Sequence, residues 1–132
     1  VEFTLGRIPF VALNGGPEYH HTPAFSIQLA CAGQAEVDRL YSALLRGGKE
    51  SRCGWLTDRF GLSWQVMPEK LPSLIGGPDP AAAARAMEAM MKMRKLDLET
   101  LERAYRGEGA TERRRASGAA RGRRRPSGAG AR

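Results

Sequence analysis

The sequence predicts an α+β domain, and three observations carry that prediction. Residues 53–68, CGWLTDRFGLSWQVMP, read as a strand, a tight turn and a second strand. Residues 34–46 repeat apolar side chains at helical spacing directly after an alternating strand. Beyond Pro68 the pattern turns helical. A chain of 132 residues, 42% of them apolar, fills one modest core.

Residues 1–5 alternate apolar and polar from the first position, Gly6-Arg7 turns the chain, and residues 8–13 form a second strand. Asn14-Gly15-Gly16-Pro17 ends this hairpin, and residues 18–23 form a loop. Residues 24–31 make the next strand, with Phe25, Ile27, Leu29 and Cys31 on one face and Ala24, Ser26, Gln28 and Ala30 on the other. Val37, Leu40, Tyr41 and Leu44 fall at i, i+3, i+4 and i+7 of a helix over 34–46, stopped by Gly47-Gly48.

A short strand over 49–53 leads into the strand ending at Leu56-Thr57. In the turn Asp58-Arg59-Phe60-Gly61, Gly61 supplies a positive φ and Asp58 a side-chain acceptor for the turn backbone. The following strand, 62–67, points Leu62, Trp64 and Val66 one way and Ser63, Gln65 and Met67 the other. Residues 71–75 form one helical turn. Asp79-Pro80 is an N-cap followed by proline at the first helical position, opening a helix through residue 95 with Lys92, Arg94 and Lys95 in its last turn. Asp97 caps a further helix carrying Leu98, Leu101 and Tyr105 and ending near Gly107.

The net charge of +7 is unevenly placed. Residues 107–132 hold eight arginines against Glu108 and Glu112, whereas residues 1–106 hold thirteen basic and twelve acidic side chains. The folded domain is therefore expected over 1–106, followed by a disordered basic tail over 107–132, a composition too poor in apolar groups to offset chain entropy. Such a tail binds nucleic acid weakly and without sequence readout, if it binds at all. No run of 18 apolar residues predicts a membrane span. Cys31 and Cys53 lack metal or redox spacing, so a reduced, cytoplasmic setting is expected.

Taken in order, VEFTL, PFVALNGGP, AFSIQLACAGQAEVDRLYSALL, GGKESRCGWLTDRFGLSWQVMP and DPAAAARAMEAMMKMRKLDLETLERAY resemble the PhnB-like family of the glyoxalase, or vicinal oxygen chelate (VOC), superfamily. That family is often labelled 3-demethylubiquinone-9 3-methyltransferase domain. The resemblance covers residues 1–106 and implies two βαβββ units curled around a cavity, commonly in a homodimer. It also implies that the first strand and helix of the first unit are missing before Val1. Metal-using relatives place one ligand at the start of the strand that here begins with Ala24 and a glutamate where Gln65 stands.

Ala24 cannot coordinate, and a neutral amide replaces a carboxylate poorly, so no metal and no cofactor is expected. His20 and His21 are adjacent in a loop and diverge in extended chain. Gln65, Ser63, Ser26 and Gln28 are the candidate ligand-binding residues: on neighbouring strands they can orient a small polar molecule by hydrogen bonds, or simply form a solvated strand face. No catalytic residue is identified. Glu2 is the one carboxylate that can act as a general base if it faces inward. Tyr41 reads as helix core, and Ala84, Met87 and Met91 as a packing stripe on a methionine-rich helix. Asn14–Pro17 fails as a phosphate loop, because no Lys-Ser/Thr and no helix follow it. No strand, Gly-rich turn and helix unit supports methyl transfer through a nucleotide-like cofactor. The expected function is binding of a small polar organic molecule, with its transformation as the further expectation; a non-catalytic sequestering dimer is the alternative.

Overall fold

A computed structural model describes residues 1–108. Two strands, β1 (Glu2–Leu5) and β2 (Ile8–Val11), pair antiparallel as a separate hairpin. A second sheet follows from β3 (Ser26–Cys31), β4 (Lys49–Glu50), β5 (Trp55–Thr57) and β6 (Ser63–Pro68), with α1 (Gln34–Leu45) crossing over between β3 and β4. Its strand order is β3-β6-β5-β4. Only β3 and β6 run parallel, so the predicted strand, helix, strand, strand, strand module is present and the α+β class holds. The short α2 (Leu71–Ile75), then α3 (Pro80–Met91) and α4 (Leu98–Arg106), form a helical layer. Among the described residues no helix is long and apolar enough to cross a membrane.

The predicted alternation decides which sheet face is dry. Cys31, Leu56, Trp64 and Val66 are buried against Val37 and Tyr41 of α1. Fully burying side chains such as Leu56, Val66 and Val37 stabilises by about 1.5–3 kcal/mol each relative to exposure. A second cluster, Leu71, Leu74, Ala86, Leu96 and Leu101, holds the three helices together, and Met67 at the end of β6 packs into it with Met90 and Met93.

Backbone and side-chain bonds dock this layer onto the module. Cys53 and Gly54 donate their N–H groups to the carbonyls of Met93 and Arg94, at 2.9 and 2.7 Å. Gln34 at the start of α1 donates Nε2–H to the Leu96 carbonyl at 3.1 Å and accepts the Leu98 N–H at 2.8 Å. A β-carbon on Gly54 would stand 2.6 Å from the Val66 carbonyl oxygen, so only glycine allows this approach.

Several expected boundaries shift for identifiable reasons. The strand expected over 24–31 begins at Ser26, because β6 begins at its partner Ser63. Phe25 instead bonds back to the Thr22 carbonyl and is exposed, not on the dry face. The strand expected over 8–13 ends at Val11, although Ala12 still bonds the Val1 carbonyl. The strand expected over 49–53 stops at Glu50; Arg52 to Trp55 is a turn with Cys53 at φ 57°. The helix expected to reach residue 95 ends at Met91, so Lys92, Arg94 and Lys95 do not lie in its last turn. Long-range partners claim two of them: Arg94 pairs with Glu50 at 3.1 Å, and Lys95 with Asp38 of α1. Met90 and Met93 pack into the helical layer while Met87 and Met91 stay exposed. Most of the tail expected over 107–132 lies outside the described residues, which end at Glu108.

Candidate functional site

The hairpin 55–68 fixes the site because its turn is satisfied from within. Asp58 Oδ1 accepts the N–H groups of Phe60 at 2.8 Å and Leu62 at 3.1 Å, and Gly61 takes φ 85°. Asp58 Oδ2 accepts the Trp64 indole N–H at 3.0 Å, so the ring that begins the dry face is tied to the turn. With the register thus set, β6 alternates strictly: Trp64 and Val66 face α1, while Ser63, Gln65 and Met67 face away.

Parallel pairing then brings the four candidate residues together. Ser26 stands opposite Ser63 and Gln28 opposite Gln65. Gln65 Nε2–H donates to Ser26 Oγ at 2.9 Å, bridging the two strands diagonally across the face. Ser63 is buried, Ser26 and Gln65 are half-buried, and Gln28 is exposed. On the other side of β6, Trp55 stands opposite Gln65 and Thr57 opposite Ser63. Trp55 and Thr57 therefore belong to the same face; their alternation was visible in sequence, but only the β5–β6 register assigns the side.

This arrangement offers amide and hydroxyl donors and acceptors beside one indole ring. It can hold a polar molecule and orient it. Met67, anchored in the helical cluster, closes one end of the face, and the row through Ser63 lies toward the other.

The remaining candidates lie elsewhere. Glu2 stands on the separate hairpin, opposite Val11, and not in the four-stranded sheet. A concavity of about 380 Å³ over that hairpin is lined by Glu2, Phe3, Thr4, Pro9, Phe10 and Val11, and none of the four candidate residues borders it. It is an open hollow beside the stacked Phe3 and Phe10 rings, whose centroids lie 5.5 Å apart. Ala24, His20 and His21 are exposed in the loop before β3. Among the described residues no three His, Cys, Asp or Glu side chains gather as a metal site. Tyr41 is buried in the α1 core as expected, yet its hydroxyl finds no hydrogen-bond partner. Burial, reinforced by the Glu50 carboxylate, pushes that phenol above its ordinary pKa.

The family model described as 3-demethylubiquinone-9 3-methyltransferase matches residues 1–67. That stretch is half of the chain and runs from the hairpin through Met67, ending before the helical layer. No curated protein matches the chain.

Proposed function

We propose that this chain, which belongs to the 3-demethylubiquinone-9 3-methyltransferase family, is a PhnB-like, glyoxalase-type (VOC) module that binds a small polar organic molecule on the polar face of its four-stranded sheet without a tightly held metal. The observation that carries this reading is the Gln65–Ser26 bridge across the parallel β3–β6 pair, with Gln28 and Trp55 flanking it on the same face. A carboxamide already donating to a serine hydroxyl is a neutral, preoriented hydrogen-bonding group, suited to a polar ligand and poorly suited to a divalent cation.

Binding is the activity these residues support. Ser26, Gln28, Ser63 and Gln65 supply no general base near neutral pH, and Glu2 stands on another sheet. Methyl transfer, as the family description words it, also requires a methyl donor; the Gly-rich segment 14–17 leads into a loop and not into a helix. The reading includes self-association: Ile8, Val11 and Leu13 leave apolar surface exposed on the hairpin, which a second copy can cover.

The test is an NMR titration of the full chain with a panel of small polar metabolites, following the side-chain amides of Gln28 and Gln65 and the Trp55 indole. Shifts concentrated on these three residues, lost in Gln65→Ala, are expected. Binding that maps to the β1–β2 hollow, or that survives Gln65→Ala unchanged, overturns the reading.

A further inference from the structure

The sheet register places a charge on the polar face that the hydrogen-bonding groups alone do not reveal. Lys49, Thr57, Ser63 and Ser26 stand opposite one another in a single row across all four strands. Residues directly opposite share a face, so Lys49 belongs with Ser63, Gln65 and Trp55. Its neighbour Glu50 falls in the next row, opposite Leu56 and hence on the α1 side, where its carboxylate pairs with Arg94.

Lys49 forms no ion pair among the described residues. Two further cations stand at the same corner: Arg46, the C-cap of α1, and Arg59 in the β5–β6 turn, whose Cβ would lie 3.2 Å from a β-carbon placed on Gly47. Neither has a carboxylate partner among the described residues; the Arg59 guanidinium lies over the Phe60 ring at 4.7 Å. The carboxylate in that turn, Asp58, is occupied by two backbone N–H groups and the Trp64 indole. Lys49 thus brings a positive charge without an ion-pair partner among the described residues to this end of the polar face, with Arg46 and Arg59 near the same corner.

We infer that the ligand of this face is a small organic anion. Its carboxylate or phosphate group is held at the Lys49 end, and its body lies over Trp55 and Gln65. The inference rests on the reading of the polar face as a ligand site and adds the charge class of the ligand. Scale agrees with it. Lys49 and Ser26 are separated by three strand spacings, about 14 Å. A lysine stem reaching inward from the edge leaves room for a molecule about the size of a single ring. Lys49 binds here as a point charge, without the bidentate geometry an arginine would impose.

The experiment titrates the full chain with benzoate, phenyl phosphate and benzamide at one ionic strength, reading the Trp55 indole and the Gln28 and Gln65 amide signals. Benzoate, phenyl phosphate or both are expected to bind at least tenfold more tightly than uncharged benzamide, and the stronger of the two identifies carboxylate or phosphate as the preferred group. Lys49→Met, which keeps an apolar stem, should remove that preference, and Lys49→Arg should retain most of it. Raising the salt concentration should weaken the anions and not benzamide. If benzamide binds as tightly as the anions, or Lys49→Met changes nothing, the charge assignment is overturned while the polar-face site stands. If none of the probes moves any of these signals, the inference falls together with the site reading on which it rests.

Discussion

Asp58 and Trp64 are joined across the β5–β6 turn: the indole N–H donates to the same carboxylate whose other oxygen holds the turn backbone. One side chain thereby fixes both the turn and the rotamer of a core aromatic, and with them the β5–β6 register that presents Gln65. Asp58→Ala removes three hydrogen bonds and leaves a buried indole N–H unpaired. A loss of about 2–3 kcal/mol is expected in chemical denaturation. Asp58→Asn, which keeps an acceptor for the turn but lacks the charge, should lose about half of that. A loss below about 0.5 kcal/mol for the alanine variant would show that the turn holds without this residue.

Gln34 should act as a clip between the α1 module and the helical layer. Its amide donates to the Leu96 carbonyl in the α3–α4 linker and, at 3.0 Å, to Asp38, and it accepts the Leu98 N–H at the start of α4. Gln34→Ala is expected to cost about 1–2 kcal/mol. It should also speed hydrogen exchange at the Leu98 amide more than at amides inside α1. Equal acceleration throughout would indicate general destabilisation and not loss of a clip.

Removing the Tyr41 hydroxyl should not harm the fold. A buried hydroxyl without a partner costs free energy, so Tyr41→Phe is expected to be neutral or stabilising by up to about 1 kcal/mol. The raised phenol pKa adds a second signature. The folded state keeps the proton longer than the unfolded chain does. Stability from this group is therefore complete below the unfolded value near pH 10 and lost as pH rises through the folded value. The phenylalanine variant should lose less stability than the parent as pH rises above about 10.

Acid should act through two aspartates. Hydrogen bonds from Lys95 and then Gln34 hold the Asp38 carboxyl below its usual range, and hydrogen bonds from the Thr100 side chain and then its backbone N–H do the same for Asp97 at the α4 N-cap. Both pKa values are lower in the folded state. Their stabilisation is thus present above the unfolded value of about 3.9 and disappears as pH falls through the folded values. Thermal unfolding followed from pH 6 to pH 2 should show a falling Tm below about pH 4. Asp38→Asn should flatten that fall; an unchanged slope would remove Asp38 from this account.

Two glycines of the module should respond differently to the same substitution. Gly61 has φ 85° and open space where a β-carbon would stand, so Gly61→Ala meets only backbone strain, about 1–2 kcal/mol. Gly48 does not have a positive φ, but its β-carbon would overlap the Thr57 carbonyl oxygen. Gly48→Ala must displace backbone within the sheet and should cost about 3 kcal/mol. The reverse ranking in denaturation experiments would contradict the packing of β4 on β5.

What could be read from the chain alone divides along a physical line. The β5–β6 hairpin, the α1 stripe and the caps at Asp79 and Asp97 were legible because each is local: alternation, helical spacing, or an acceptor next to the N–H groups it caps. The same alternation placed Ser26 with Gln28 and Ser63 with Gln65 on one side of their strands, but that the two strands are neighbours comes only from the β3–β6 pairing. Their function as a site remains the proposal argued above. Lys49 was passed over because a charged residue on a two-residue edge strand has no face until its register is known. Arg94 and Lys95 lie beyond the expected last turn because the helix dipole is a local argument, and Glu50 and Asp38, far away in sequence, outweigh it. Gln34 gave no signal, since a glutamine at a helix start looks like any solvated residue. Cys53 was read as strand because its conformation depends on Gly54 and on the Met93 and Arg94 carbonyls, forty residues downstream.

Met67 gives these long-range bonds a practical meaning. The stretch shared with the family stops at this residue, yet its side chain is anchored in the helical cluster, and the amides of Cys53 and Gly54 inside the shared stretch are satisfied by carbonyls outside it. The portion recognisable by kinship is thus smaller than the unit these bonds and contacts tie together. A fragment cut at the end of the shared stretch would carry orphaned amides and a bare thioether beside the very strands that hold the polar face. Inheritance and cooperativity draw their borders at different places in this chain, and the polar face proposed to bind ligand lies inside both.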